Sequence, residues 1–473
     1  MIKSYDAIIV GSGPAGIFTA LELAQSSNLK ILLLEKGKSL NKRRCPALNG
    51  NGTGCVSCPL CNMVSGWGGA GAFSDGKLSL SSQIGGRLER YIGPTRSEEL
   101  TSYIDKRYQD FGASDKLYGT GPEVDTLKHK AETAGLRLIP VPLRHMGTEN
   151  CHTILQGMYD FLKERIDIET DLEVTSIIAE NGQAKGVETA DGQTINTHYL
   201  IVAPGREGSD WLAKEACLLG LTKHNNPVDL GLRVEVPNEV VQHLTDVLYE
   251  SKLEYYSKTF KDRIRTFCMC PAGEVTMEST GGSDPVITVN GHSYAKHKTP
   301  NTNFALLGSA IFAKPFNDPI TYGKSVARLA NLLSGGAIMQ RLGDSQRGRC
   351  SSSAHIDKWA VQPTLKDAIP GDINAVLPYR FLKGIKEMIT AMDKLAPGVA
   401  SPHTLLYGVE VKFYSTRLHL TQNLETEIEN MFAIGDGAGV TRGLVQASAS
   451  GVVAAQEILQ RVGSKQVPSA ATH

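Results

Sequence analysis

Apolar residues follow two rhythms at the start of the chain. The segment Tyr5–Val10 ends in the unbroken run Ala7-Ile8-Ile9-Val10, which predicts a strand buried on both faces. Ile17, Leu21 and Ala24 then recur at helical spacing, and Lys30–Leu34 predicts a second strand closed by Glu35. Helical spacing returns over Glu98–Phe111 and Thr153–Arg165. Three alternating stretches follow, Glu173–Ile178, Ala184–Thr189 and Thr194–Val202, separated by Asn181-Gly182 and Asp191-Gly192. They predict hairpins that lead back into the first sheet. Further strands at Gly231–Val236, Val286–Val289 and Phe304–Ile311 mix with helices at Tyr322–Leu333 and Tyr379–Leu395. The segment Asn430–Gln460 predicts one strand and one long helix, with a loose Ser-, Ala- and Thr-rich tail beyond.

Between the first strand and first helix stands Gly11-Ser12-Gly13-Pro14-Ala15-Gly16. In a GxGxxG turn the first glycine permits the tight bend, the second lets backbone approach a pyrophosphate, and the third allows close helix packing. The helix N-terminus supplies free N–H groups and partial positive charge. Glu35 ends the second strand about 20 residues later, where an acid accepts hydrogen bonds from ribose hydroxyls and repels a 2′-phosphate. The late segment Met431–Ile434 runs into Gly435-Asp436-Gly437-Ala438-Gly439, and a helix begins after Arg442-Gly443 with Leu444, Ala447, Ser448, Gly451 and Ala454 on one side. This suits a flavin's ribityl chain, with Asp436 at a ribityl hydroxyl or reaching phosphate through water, and the helix start stabilising charge on the reduced ring.

The pattern predicts an α/β fold: a discontinuous Rossmann-type FAD-binding domain over residues 1–80, 150–225 and 416–465, with a second, mixed α+β substrate domain over 226–415. Residues 81–149 form a helical insertion in this reading. The chain has 473 residues, which supports about two domains. Lys plus Arg and Asp plus Glu both number 49, so no net field draws the chain to nucleic acid or anionic lipid. No apolar run reaches the roughly 20 residues of a membrane span, and no secretory leader precedes the first strand, so the expectation is a cytoplasmic protein that binds neither nucleic acid nor membrane.

The glycine turn, Glu35, Tyr199–Arg206 (YLIVAPGR) and Ala433-Ile434-Gly435-Asp436 resemble the ordered motifs of glutathione-reductase-type and aromatic-hydroxylase-type FAD flavoproteins. More narrowly, Arg44-Cys45-Pro46, Cys55–Cys61, Gly66–Lys77 (GWGGAGAFSDGK), Thr266–Gly273 (TFCMCPAG) and Asn290-Gly291 resemble a largely uncharacterised family of FAD-dependent dehydrogenases. The resemblance implies a two-domain FAD enzyme and no particular substrate. Backbone contacts to the flavin are assigned to the glycine loop, with Gly68, Gly69 and Ala70, and a flavin-edge role is weighed for Lys77. The candidate cofactor-binding set is Gly11, Gly13, Pro14, Ala15, Gly16, Glu35, Lys36, Arg44, Gly68, Gly69, Ala70, Lys77, Val174, Ala203, Pro204, Gly205, Gly435, Asp436, Gly443, Leu444 and Val445. No second GxGxxG is found between a strand and a helix, so NAD(P)H is expected only as a transient reductant.

Cys45, Cys55, Cys58 and Cys61 crowd one loop, and the two CxxC steps allow thiolates to converge on a metal. An iron–sulfur cluster, zinc, and unmetalled thiols all stay open. Cys268 and Cys270 alternate on a predicted strand, which would put both thiols on one face as reactive groups or buried small hydrophobes. His292 and Tyr294 are candidates for the acid that protonates a substrate carbon, and a hydrogen-bonding role fits His292 equally. GDGAG lacks the histidine usual after GD in aromatic hydroxylases, so dehydrogenation or its reverse is favoured: hydride passes between flavin N5 and a small organic substrate. An electron-transfer flavoprotein serving a redox partner protein and an FAD-dependent monooxygenase are the alternatives.

Overall fold

The computed structural model describes residues 3–46, 58–74, 76–280, 285–293, 298–310, 312 and 318–465. The chain divides into two compact units, one of Met1–Lys116, Arg144–His224 and Ser415–His473, the other of Leu117–Leu143 and Asn225–Tyr414. The fold class is α/β. The stretch 81–149, expected as a separate helical insertion, is shared: Leu117–Leu143 belongs to the second unit and the remainder to the first.

The first unit is built on a seven-stranded sheet in the order Asp167–Thr170, Ile31–Glu35, Lys3–Val10, Thr194–Val202, Gln183–Thr189, Val174–Glu180, with Met431–Ala433 also pairing with Thr194–Val202. The strands Asp167–Thr170, Ile31–Glu35, Lys3–Val10, Thr194–Val202 and Met431–Ala433 run parallel, and the hairpin strands antiparallel. Ala7, Ile8, Ile9 and Val10 pair with Tyr199, Leu200, Ile201 and Val202 on one side and Ile31–Leu34 on the other, so the second half of the central strand has no polar face. Helix Pro14–Ser26 packs against helix Leu444–Lys465 at a crossing that only glycine allows: a Cβ on Gly451 would stand 2.2 Å from the Ala15 carbonyl oxygen. Thr19 Oγ1 donates to the Ala15 carbonyl at 2.9 Å beside that crossing.

The second unit holds an eight-stranded, mainly antiparallel sheet in the order Ile369–Pro370, Ile338–Arg341, Leu405–Lys412, Val228–Pro237, Asn301–Ala310, Arg263–Cys270, Leu253–Tyr256, Arg137–Leu138. Along Val228–Pro237, Val228, Leu230, Leu232, Val234 and Val236 join the apolar core that also takes in Tyr379–Leu395, Asn238–Leu248 and Pro319–Ser334. The alternate residues Asp229, Arg233 and Glu235 are fully buried on the other face, where cross-strand pairing satisfies them. Arg233 makes a bidentate pair with Glu410 at 2.7 and 2.9 Å. Burial alone would raise the Glu410 carboxyl, but Arg233 and Lys412 hold it below its usual value. Among the described residues, no helix is long and apolar enough to cross a membrane.

Candidate functional site

The loops that follow the parallel strands of the first unit gather the glycine-rich segments. Gly11, at φ +102°, bends the chain straight out of the first strand, and a Cβ there would lie 2.2 Å from the Ala203 carbonyl oxygen. At Gly16 a Cβ would lie 1.9 Å from the Gly11 oxygen. Both positions are therefore closed to any side chain. Gly13 differs. Its φ of −73° suits any residue, and among the described residues nothing lies within 4 Å of where its Cβ would stand. The turn thus offers bare backbone to open space. Helix Pro14–Ser26 begins there with Pro14 in its first turn and no side-chain cap, which leaves its first amides to a ligand. Ala15 is buried behind the turn.

Glu35 ends its strand almost fully buried, and its carboxylate accepts from four protein donors: Ser12 N and Ser12 Oγ at 2.8 Å, Gly37 N at 2.8 Å and Gly66 N at 3.0 Å. A carboxylate has about four acceptor sites, so Glu35 spends them on tying the glycine turn to the loop at Gly66. Ser12, whose hydroxyl joins this network, gave no sequence signal beyond its place inside the motif. Lys36 pairs with Glu207. Gly68 donates its N–H to the Ser12 carbonyl at 2.9 Å, and a Cβ on Gly69 would stand 3.1 Å from Gly13 Cα, so this second loop lies directly against the turn. Ala70 sits in the short helix Gly69–Phe73. Gly71 approaches Leu444, at the start of the last helix, to 2.8 Å from its own Cβ position. Lys77 opens the strand Lys77–Ser79 and is half-buried.

The remaining loops close on the same place. Ala203 donates its N–H to the Val10 carbonyl at 2.8 Å, and the Gly205 carbonyl and Pro204 ring crowd Gly437. Val174 starts its strand as a buried residue. Gly435, at φ +73°, is fixed by Ser450 Oγ at 3.0 Å and faces Ala15. Asp436 accepts from Thr441 Oγ1 at 2.8 Å and lies 3.9 Å from Arg206 Nε. Burial raises its carboxyl above the ordinary value, against the pull of Arg206, Thr441, Arg442 and the Gly443 N–H. Gly443 is exposed at φ +87°, Leu444 is half-buried, and Val445 is buried. The structure thus brings together the turn, Glu35, Gly68–Ala70, Ala203–Gly205 and Gly435–Leu444, at the end of a parallel sheet where dinucleotides bind.

Arg44 is exposed, with its carbonyl taken by Asn62 Nδ2 at 2.9 Å. Its neighbour Arg43, which the sequence did not single out, is the guanidinium buried in the glycine loop. Of the cysteine group, Cys55 lies outside the described residues, and Cys45, Cys58 and Cys61 are half-buried free thiols. Among the described residues no three His, Cys, Asp or Glu side chains are placed to hold a metal ion.

In the second unit, the expectation that Cys268 and Cys270 share a strand face is corrected. Strand pairing jumps from Phe267–Ala305 to Cys270–Asn303, and Cys268 takes φ +35°, so a bulge breaks the alternation. Cys270 is buried and Cys268 half-buried, with the Cys268 carbonyl accepting from Arg233 Nη1 at 3.1 Å. His292 ends the strand Ile287–His292 in an exposed position, and Tyr294 lies outside the described residues. A group the sequence missed is Tyr414, which donates to buried Asp229 and accepts from Arg265 Nη2 at 3.0 Å. Arg265 also reaches Asp229 at 2.5 Å.

A protein of Clostridium beijerinckii is 25% identical over 492 aligned positions, covering 96% of this chain and 80% of its own length. Among solved structures, the 3-ketosteroid-Δ4-(5α)-dehydrogenase of Rhodococcus jostii RHA1 is similar at 11% identity, covering 97% of each chain, with a TM-score of 0.44. Glycine oxidase from Geobacillus kaustophilus is similar at 13% identity, covering 97% of this chain and 95% of its own, with a TM-score of 0.40. Neither likeness is close enough to bear on activity. Residues 227–413, nearly all of the long segment of the second unit, match the family model described as FAD-dependent protein, C-terminal domain-like, and in this segment the chain is similar to FAD-dependent proteins.

Proposed function

We propose that the chain is an FAD-dependent oxidoreductase, a dehydrogenase or C=C reductase acting on a small organic substrate. The observation that carries this reading is the glycine turn with its one open position, Gly13, flanked by two glycines that the fold itself fills. A purely structural turn has no use for a bare, unstrained position facing empty space. The donor set fits the group: uncapped helix amides and bare backbone for a diphosphate, and Asp436 beside Gly435 for a hydroxyl chain. The N-terminus of Leu444–Lys465 would bring partial positive charge to the reduced ring.

Bound FAD supplies hydride exchange with the substrate. The chain's residues do the rest. Ser12, fixed by Glu35, holds the turn open, and Gly68 and Gly69 wall it on the second side. Asp436, whose raised pKa reflects its burial, would accept a hydrogen bond from the cofactor's hydroxyls. For proton transfer to or from substrate the candidates are His292 and the Tyr414 hydroxyl, which is held by Asp229 and Arg265. An electron donor or acceptor visits transiently, in keeping with the single glycine fingerprint.

Anaerobic photoreduction tests this directly. Reduced protein is mixed with candidate carbonyl, imine and enone acceptors, and with NAD⁺ and NADP⁺, while flavin absorbance is followed. Reoxidation by an organic acceptor in a two-electron step supports the proposal. Reoxidation only by one-electron protein carriers would replace it with electron relay.

A further inference from the structure

Arg43 is 4% exposed, yet among the described residues its guanidinium contacts no carboxylate. All its hydrogen bonds go to backbone carbonyls of one loop. Nε donates to Asn62 at 2.9 Å, Nη2 to Met63 at 3.0 Å, and Nη1 to Trp67 at 2.6 Å and Gly69 at 2.9 Å, with Gly66 at 3.4 Å. The Phe73 ring stacks on it at 4.8 Å. Burial lowers its pKa to about 10 in spite of the nearby Glu35 and Cys61, so the charge is held at a cost. Such an arrangement needs a reason.

The loop supplies one. Four of the eight residues from Gly66 to Phe73 are glycine, and side-chain packing on the core is left to Trp67, Ala72 and Phe73, so the glycine backbone between them needs hydrogen bonds to fix it. Its form comes from Arg43 within and from four outer ties: Glu35 to Gly66 N, Gly68 N to the Ser12 carbonyl, Trp67 N to the Lys38 carbonyl at 3.0 Å and Trp67 Nε1 to the Leu155 carbonyl at 2.9 Å. The residues so placed, Gly68 and Gly69, stand against Ser12 and Gly13, at the open side of the dinucleotide turn. None of the Arg43 bonds goes to a sheet strand or to the helix Pro14–Ser26. Losing Arg43 therefore frees one wall of the site and leaves the scaffold standing.

We propose that Arg43 is a positioning residue for the dinucleotide cofactor, acting through the carbonyls of residues 62–69 to set the wall of the diphosphate site. The proposal rests on the FAD reading above and goes beyond it in naming the group that shapes the site. A planar fork with five N–H groups can serve several carbonyls at once, whereas a lysine offers three N–H groups from one point.

The test is to deflavinate wild type, R43M and R43K, titrate each with FAD, record the visible circular dichroism of bound flavin, and melt each apoprotein. R43M should bind at least tenfold more weakly, with altered flavin dichroism, while its apoprotein melts within about 3 °C of wild type. R43K should recover part of the affinity and not all of it. An R43M that binds within twofold of wild type with unchanged dichroism overturns the proposal. So does an apoprotein whose melting temperature collapses in step with affinity, because the residue then serves general stability. If R43M does not fold, R43K decides: affinity and dichroism equal to wild type overturn the proposal, and a loss of threefold or more sustains it. Should wild type itself take up no FAD, the FAD reading fails and this one with it.

Discussion

Replacing Gly13 with alanine should leave the apoprotein at least as stable as before and weaken its hold on FAD, whereas the same change at Gly16 should damage the fold itself. At Gly13 the backbone sits at φ −73°, ψ 179°, which alanine adopts freely, and no described atom lies within 4 Å of the new methyl. The folded state loses nothing, and the unfolded chain loses freedom, worth about 0.4–1 kcal/mol of added stability. The methyl instead occupies the space into which a diphosphate would come. Pushing that group away forfeits at least one hydrogen bond to a charged partner, about 1.5–3 kcal/mol, or roughly 10- to 100-fold in affinity. At Gly16 the methyl would lie 1.9 Å from the Gly11 oxygen and 3.2 Å from Ile9 Cγ2, and backbone cannot yield as a side chain tip can. Overpacking of this kind costs about 1–3 kcal/mol or more. Urea unfolding of both apoproteins, together with FAD titration, separates the two. A Gly13→Ala protein that binds FAD as tightly as wild type would refute the assignment of that open space to the diphosphate.

Four further outcomes follow from the same structure. Saturating FAD should stabilise the protein by about 2.7 kcal/mol at one hundred times its dissociation constant, read as a rise in melting temperature that grows with FAD concentration. Glu410→Gln should cost about 3–5 kcal/mol by stranding Arg233 without its buried partner, seen as a lower urea midpoint. Because the folded-state pKa of Glu410 is depressed, its contribution is present above the unfolded value near 4.5 and fades as pH falls through the lower folded value, so wild type should lose stability in acid more steeply than Glu410→Gln. Asp436 works in the opposite sense: its folded pKa is raised, so the ionised carboxylate costs stability that appears as pH rises from 3.8 through the folded value. Asp436→Asn should therefore stabilise the apoprotein at pH 7 while weakening FAD binding about tenfold, checked by melting and titration.

The first strand, its glycine turn and its helix were legible because two periods meet there at an abrupt boundary, and Gly11 and Gly16 admit no other residue. The hairpins Val174–Glu180, Gln183–Thr189 and Thr194–Val202 were legible from Asn181-Gly182, whose positive φ angles of 52° and 75° suit those residue types. Asp229, Arg233 and Glu235 alternate with apolar residues, a pattern that reads as a half-exposed strand; the chain buries both faces because Arg265 and Glu410 neutralise Asp229 and Arg233, and Asn301, Thr364 and Tyr407 donate to Glu235. No local pattern carries that information. The same limit hid Arg43 behind Arg44, since an aperiodic loop gives no phase by which to choose between adjacent residues. The bulge at Cys268 was hidden because alternation assumes a regular strand. Helices Pro122–Thr133, Ser209–Leu218 and Asn238–Leu248 went unread although their first turns hold acidic residues.

The central claim is that the turn at Gly11–Gly16 and the loop at Gly435–Asp436 hold one extended flavin dinucleotide. Titrating gently deflavinated protein with FAD, while following visible absorbance and the flavin released on denaturation, measures this directly. The account predicts saturation at one FAD per chain, with absorption bands shifted from those of free FAD. A chain that stays colourless and leaves added FAD unbound would contradict it.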